Sequence, residues 1–287
     1  TVMRNGRKVA EGPTSDFDEA TLIRHMTGHD VSSESYHWQA PAEPPIPRLE
    51  IHGLTLPGKF EDLSLEIRPG EIVGLSGLLG SGRTEVAQAL FGLEPRHGGE
   101  VRVDGVPVRL ERVPDAIAAG IAYVPEDRLT EGLFLTQSID RNILASILPR
   151  IARGTVIDRG RAATLSTESI ASLQIATPTG AKPVGQLSGG NQQRVVLARW
   201  LLTEGKVLIL NGPTVGVDVG SKAEIHRIIR DLAVEKGLAV LMISDDILEL
   251  VQNCNRIVVM HRGRFVDTLE TAEISEQHIS DLLTSFK

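Results

Sequence analysis

Residues 71–91 constrain the fold of this chain more than any other segment. Glu71-Ile-Val-Gly-Leu-Ser76 is an apolar run of strand length, Gly77-Leu-Leu-Gly80-Ser81-Gly82-Arg83-Thr84 is a loop punctuated by glycine, and residues 84–91 carry helical spacing. A short apolar strand that runs through such a loop directly into a helix is the opening of an alternating strand–helix chain. Further core strands are expected at Ile121–Val124, Val207–Leu210, Leu238–Ile243 and Arg256–Met260. Val101–Val108 reads as a hairpin turning at Asp104-Gly105. Between Arg128 and Gln186 the strand signals vanish and helical stretches dominate. The expectation is an α/β fold with a parallel-sheet core and a helical insertion.

The loop itself carries chemistry. Gly77, Gly80 and Gly82 free the backbone to curl so that N–H groups face an anion, and the following helix adds its positive N-terminal end. Ser81 and Thr84 contribute hydroxyls, with Thr84 placed to meet a magnesium ion. The spacing is that of a phosphate-binding loop in every position except one, where Arg83 replaces the usual lysine. A guanidinium keeps the charge but is planar, forked and larger, so it does not sit as a point charge between phosphates.

Composition removes competing classes. A net charge of −7 disfavours a nucleic-acid contact face. The single Cys254 excludes an internal disulfide and fits a reducing compartment. No apolar run reaches the ~18 residues that span a bilayer, so a membrane link would run through a partner.

The two ends of the chain look alike. Val2-Met3-Arg4-Asn5-Gly6-Arg7-Lys8-Val9 is a hairpin pattern turning at Asn5-Gly6, and Val259-Met260-His261-Arg262-Gly263-Arg264-Phe265-Val266 repeats it. Phe17, Leu22 and Met26 then fall at the same offset as Ile274, Ile279 and Leu283. The expectation is an internal repeat, with residues 1–33 forming the tail of a preceding copy of the domain. Residues 34–48, with Pro41, Pro44, Pro45 and Pro47, read as a semi-rigid linker, and the main domain spans 49–287. Without an initiator methionine, the chain is expected to be a fragment.

Four motifs together resemble the ATP-binding-cassette superfamily, in particular the second cassette of the duplicated ATPases of bacterial simple-sugar importers. They are the loop at 77–84, Val124-Pro-Glu-Asp-Arg128, Leu187-Ser-Gly-Gly-Asn-Gln-Gln193 and Gly216-Val-Asp-Val-Gly-Ser-Lys222. The resemblance implies a P-loop NTPase core with an antiparallel β subdomain and a helical signature subdomain near residues 128–190. ATP and magnesium are implied, with Gly77, Gly80, Ser81, Gly82, Arg83, Thr84 and Glu126 around the nucleotide. Ser188, Gly189, Gly190 and Gln192 would complete the ATP site of the partner cassette, and Asp218 would bridge the two halves. The implied partners are a first cassette in the same polypeptide, membrane permease subunits and, indirectly, an external sugar-binding protein. The implied location is the cytoplasmic face of the bacterial plasma membrane.

In that family the strand ending at Leu210 delivers an aspartate for magnesium and a glutamate for water. This chain departs from the general cassette pattern with Asn211 and Gly212 there and Asp245 where a histidine normally follows the last core strand; Glu126, where a glutamine usually senses the terminal phosphate, and Arg83 are usual for the second cassette. Loss of a positioned base costs about 10²–10⁴ in rate. Weak hydrolysis at this chain's own site is therefore expected, and Glu126 and Asp245 are expected to add negative charge near a polyanion. The alternative reading is a non-hydrolytic nucleotide-sensing or scaffold module. Phe60 is the nearest aromatic to the loop, a candidate for stacking adenine but more in keeping with core. Gly132–Leu135 and Ile139–Ile143 offer an apolar surface to the permease or, equally, fill the subdomain core.

Overall fold

The computed structural model describes residues 1–4, 7–18, 21–22, 24–25, 45–94, 98–270 and 276–286. The first strands are β1 (Val2–Arg4), β2 (Arg7–Ala10), β3 (Leu49–Leu56), β4 (Phe60–Ile67) and β5 (Ile72–Gly77), followed by helix α1 (Arg83–Leu90). Next come β6 (Gly98–Val103), β7 (Val106–Val108), α2 (Val113–Ala118) and β8 (Ile121–Val124). The insertion holds α3 (Ile139–Leu144), α4 (Leu148–Ile151), β9 (Ala152–Arg153), β10 (Val156–Ile157), α5 (Arg159–Ser172) and α6 (Gly189–Leu201). The chain closes with β11 (Val207–Asn211), α7 (Val219–Lys236), β12 (Ala239–Ile243), α8 (Ile247–Asn253), β13 (Arg256–His261), β14 (Arg264–Glu270) and α9 (Glu276–Ser285).

Burial explains why two kinds of sheet form. Every residue of β5, β8, β11 and β12 is buried. Strands apolar on both faces need cover on both faces, which is the condition for a parallel sheet. These strands form four consecutive members, β8 at the edge, of a six-stranded sheet ordered β14-β13-β5-β12-β11-β8, parallel except for β14. Alternate side chains feed separate cores. Leu208, Leu210, Val240 and Met242 pack with the helices of one side, whereas Val207, Ile209, Leu241 and Leu75 pack on the other. That second core is closed by an antiparallel sheet ordered β4-β3-β6-β7. Along the end of β4, Leu63, Leu65 and Ile67 are buried while Ser64 and Glu66 are exposed, the period of a strand with one wet face. Asp104 and Gly105 take φ of 50° and 75° between β6 and β7, the left-handed pair that a two-residue hairpin requires.

The insertion between β8 and β11 is helical as expected, with one departure: β9 and β10 form a two-residue antiparallel ribbon. Ile139 and Ile143 are fully buried and belong to the core, so they offer no surface. Phe134 is 59% exposed and Leu135 37%, which leaves those two as the open apolar part of the segment. The buried Asn142 holds this turn, accepting from the Phe134 N–H at 2.9 Å and donating to the Phe134 carbonyl at 3.1 Å.

The terminal hairpins match in register. Met3 pairs Lys8 and Arg4 pairs Arg7 in the first; Met260 pairs Phe265 and His261 pairs Arg264 in the second. Each carries its irregularity at the same place, between Val2 and Met3 and between Val259 and Met260. Asn5-Gly6, Met26, Ile274 and residues 34–44 of the expected linker lie outside the described residues.

Candidate functional site

Parallel strands deliver their loops to one edge, and ligand clefts form there. β5, β12 and β11 end side by side, with Leu75 paired to Ile243 and Ile243 to Asn211. Their loops enclose a cleft that gathers Gly80, Ser81, Gly82, Arg83, Thr84, Glu126, Asn211, Gly212 and Asp245. Gly77 closes β5 behind the loop. Phe60 is 3% exposed within the core and no aromatic ring lines the cleft among the described residues, so adenine stacking on Phe60 is excluded.

The cleft is built for an anion. Gly80 and Gly82 take φ of 80° and 105°, and α1 begins at the next residue, so N–H groups at the helix start converge on the loop. The Ser81 hydroxyl is buried without a hydrogen-bond partner, an orphan that a phosphate oxygen would satisfy. Two cations reach the cleft: Arg83 and Lys222, the latter at the start of α7 and 3.7 Å from Asp246. A polyphosphate fits this set.

Arg83 uses its fork on the protein. One arm donates to the Ser244 carbonyl at 3.0 Å and the other pairs with Asp245, with the guanidinium side chain buried. Asp245 therefore does not stand as an unbalanced negative charge, as the sequence suggested, because Arg83 neutralises it. Glu126 remains exposed, and its stem leans over Gly212: a Cβ on Gly212 would lie 3.2 Å from the Glu126 Cγ. That Cβ would also lie 2.8 Å from Val215, and Gly212 has a φ of 59°. A glutamate there would be strained by the left-handed backbone and crowded by the Val215 side chain.

The position expected to meet magnesium is poorly equipped for it. Asn211 is buried and donates its amide to the Thr84 hydroxyl at 3.3 Å. The protein offers magnesium a neutral hydroxyl and an amide in place of a carboxylate, and hard cations prefer charged oxygen. Among the described residues no cluster of His, Cys, Asp or Glu has the geometry to hold a metal ion. Nearby, burial pushes the Tyr123 hydroxyl up to about 12, so it stays protonated.

Sequence reasoning missed one buried network beside the cleft. Glu249 on α8 accepts from Thr214, from Ser244 and from His226, whose Nε2 lies 2.9 Å away. Burial pulls its carboxyl up, but the bonds from His226, Ser244 and Thr214 outweigh it and hold the group below the usual glutamate range. The cluster ties the turn after Gly212 to the loop that holds Arg83. No local signal announces it, because its members come from separate elements.

Ser188 precedes α6 at its N-cap position and is exposed; its hydroxyl accepts from the Asn191 side-chain amide at 2.9 Å rather than from the helix backbone. Ser188, Gly189 and Gly190 line no part of the phosphate cleft. Gly189 and Gly190 have an intramolecular reason to be glycine. A Cβ on Gly190 would sit 2.4 Å from the Ser221 hydroxyl, and one on Gly189 would sit 2.8 Å from the Gly216 carbonyl. Gln192, expected beside them at the partner's nucleotide, is instead buried, accepting from Arg128 at 3.4 Å and donating to the Val184 carbonyl at 3.4 Å. Asp218 is exposed and caps α7, accepting from the Ser221 N–H at 3.0 Å.

The ABC transporter family model matches residues 60–215. A ribose/galactose/methyl galactoside import ATP-binding protein of Rhizobium etli is 45% identical over 284 residues, covering 99% of this chain and 54% of its own length. Ribose import ATP-binding protein RbsA 3 of Rubrobacter xylanophilus is 43% identical over 287 residues, 100% of this chain and 57% of its own. The chain thus spans about half the length of the curated relatives it matches. Among solved structures, CbiO1 of Clostridium perfringens superposes with a TM-score of 0.66 at 20% identity, over 83% of this chain and 92% of its own. The ATP-binding cassette MJ0796, in a dimer bound to ADP and Pi, does so with a TM-score of 0.65 at 21% identity, over 78% of this chain and 98% of its own. At such identities these two likenesses establish the fold.

Proposed function

Because the chain belongs to the ABC transporter family, we propose that it is the second of two ATP-binding cassettes in a protein that powers bacterial sugar uptake. The observation that carries this reading is the separation of its two nucleotide elements. The phosphate loop opens into a cleft, while the signature start at Ser188 is exposed and stands outside it. A phosphate held by Ser188, Gly189 and Gly190 therefore belongs to a nucleotide of another cassette. The double length of the import relatives and the matching terminal hairpins support a first cassette that ends near residue 33.

In this reading the phosphates of ATP lie against the N–H groups of Gly80 and of residues 82–84, with Ser81 donating its hydroxyl and Arg83 and Lys222 balancing charge. Thr84 and Asn211 would hold a magnesium ion, which would draw charge from the phosphate oxygens. Nothing at Gly212 orients or deprotonates water, so this cleft binds and turns over slowly. The signature end of α6 presents N–H groups and the Ser188 hydroxyl to the partner's terminal phosphate, where such donors stabilise developing charge. Closure of the halves would then drive permease subunits that dock at Phe134 and Leu135 on the inner membrane face. An external protein would deliver a simple sugar, the cargo class named for the relatives. No helix among the described residues is long and apolar enough to cross a membrane, consistent with attachment through a partner.

The test is ATP turnover by the full-length protein carrying Ser188→Arg or Arg83→Ala. Loss of turnover in Ser188→Arg with little change in Arg83→Ala is the expected result. Unchanged turnover in both would sink the motor reading and favour a sensing or scaffold module.

A further inference from the structure

The ribbon of β9 and β10 has no task in the nucleotide reading, and it stands clear of the insertion it grows from. Val156 is 69% exposed and Ile157 44%. Successive strand residues point to opposite faces, so both faces of β10 are open. At the turn Gly154 holds a φ of 66°, and a Cβ there would meet nothing within 4 Å. Val156 pairs with Arg153 across the ribbon, which puts the two side chains on one face. An arginine stem can lie along such an apolar neighbour while its head stays in polar surroundings.

Positive charge gathers at the root of the same ribbon. α5 opens with Arg159 and Arg161, both exposed, in the turn where the helix dipole favours acids and disfavours cations. Helix stability therefore gives no reason for them. Asp158 is the one acid between residues 148 and 161; it pairs with Arg153 at 3.4 Å and accepts from the Arg161 N–H at 3.0 Å. Arg150 is tied back into the protein, to Glu204 at 2.8 Å and to the Leu202 carbonyl at 2.9 Å. Arg153, Arg159 and Arg161 are left as a basic patch around two exposed β-branched side chains, in a chain whose net charge is −7. At 0.1 M salt, exposed charges more than about 10 Å away are largely screened, so the patch rather than the total sets what this corner attracts.

The patch also has a defined place. Arg150 hangs the ribbon on the end of α6, and Arg199 in the last turn of that helix lies over the exposed Phe134 ring, 5.6 Å from its centroid. The ribbon thus flanks the surface assigned above to the permease. We propose that β9, β10 and the first turn of α5 form a foot that rests on the anionic lipid headgroups of the inner membrane leaflet. The inference rests on the reading that permease subunits hold the chain at that surface. A bilayer is charged outside and apolar beneath, so Val156 and Ile157 settle among the headgroups while Arg153, Arg159 and Arg161 meet the lipid phosphates. Each contact is weak, but a chain already tethered at the membrane needs only weak ones, because the second contact is intramolecular.

Vesicle flotation of the full-length protein tests it, with equal parts phosphatidylglycerol and phosphatidylcholine set against phosphatidylcholine alone. Wild type floats with the anionic vesicles and not with the neutral ones, and high salt releases it. Arg159→Gln and Arg161→Gln each lower vesicle affinity about fivefold. Val156→Ser combined with Ile157→Ser lowers it as well, whereas Arg159→Lys combined with Arg161→Lys keeps it, which separates loss of charge from a fold defect. ATP turnover in detergent stays at the wild-type level in all of these variants. Equal flotation with both kinds of vesicle, or wild-type flotation of the double glutamine variant, overturns the foot. Failure of wild type to float, with turnover that still depends on Ser188, overturns the foot and leaves the motor reading standing.

Discussion

At the residue scale, Asn211 and Gly212 are not vacancies waiting for acidic side chains. Gly212 holds a φ of 59° under Glu126 and Val215, so a side chain there strains the backbone and must displace the Val215 side chain. Gly212→Ala is expected to lower stability by about 1–2 kcal/mol through the left-handed backbone alone, measurable in chemical denaturation. Gly212→Glu combined with Asn211→Asp should raise magnesium-dependent ATP affinity, because the second change supplies the metal with a charged oxygen, without raising turnover. A clear gain in turnover would show that the turn can relax. Asp245 offers a second test, because it shares Arg83 with any phosphate. Asp245→Asn should tighten ATP binding, read by calorimetry; weaker binding would mean that Asp245 holds Arg83 in its useful position.

At the element scale, stability and function meet in the loops between strands. Glu249 joins α8 to α7 and to the ends of β11 and β12 through three donors. Removing one partner of a buried charged network leaves the others unpaired, so Glu249→Ala should cost about 3 kcal/mol of unfolding free energy. The pH dependence follows from the lowered carboxyl. Its stabilisation is fully present above the ordinary glutamate range and is lost as pH falls through the depressed folded-state value. The Tm gap between wild type and Glu249→Gln should therefore be widest above the ordinary glutamate range and close as pH falls through the depressed folded-state value. A gap independent of pH would mean that packing, not charge, holds the network. The α6–α7 contact is a second junction. Gly190→Ala places a methyl where Ser221 stands, 2.5 Å from its Cβ, and should lower both the Tm and the ATP turnover of the full-length protein. Ser221→Gly should recover part of the loss.

At the scale of the whole molecule, the sequence determined the alternation of strands and helices and the chemistry at each loop. The apolar runs at 72–77, 207–211 and 239–243 could be buried only between two layers. The glycine loop, the signature and the hairpin at Asp104-Gly105 carry their geometry in a few adjacent residues, where local backbone preference dominates. Tertiary structure decided which of those residues meet. It turned Gln192 inward onto Arg128, set Asp245 against Arg83, and divided the insertion into buried Ile139 and Ile143 and exposed Phe134. These contacts join residues far apart in the chain, and no periodicity encodes them. A charge read along the sequence has a sign but no neighbour, and the packed sheet supplies the neighbour by bringing the carboxyl ends of its strands to one edge.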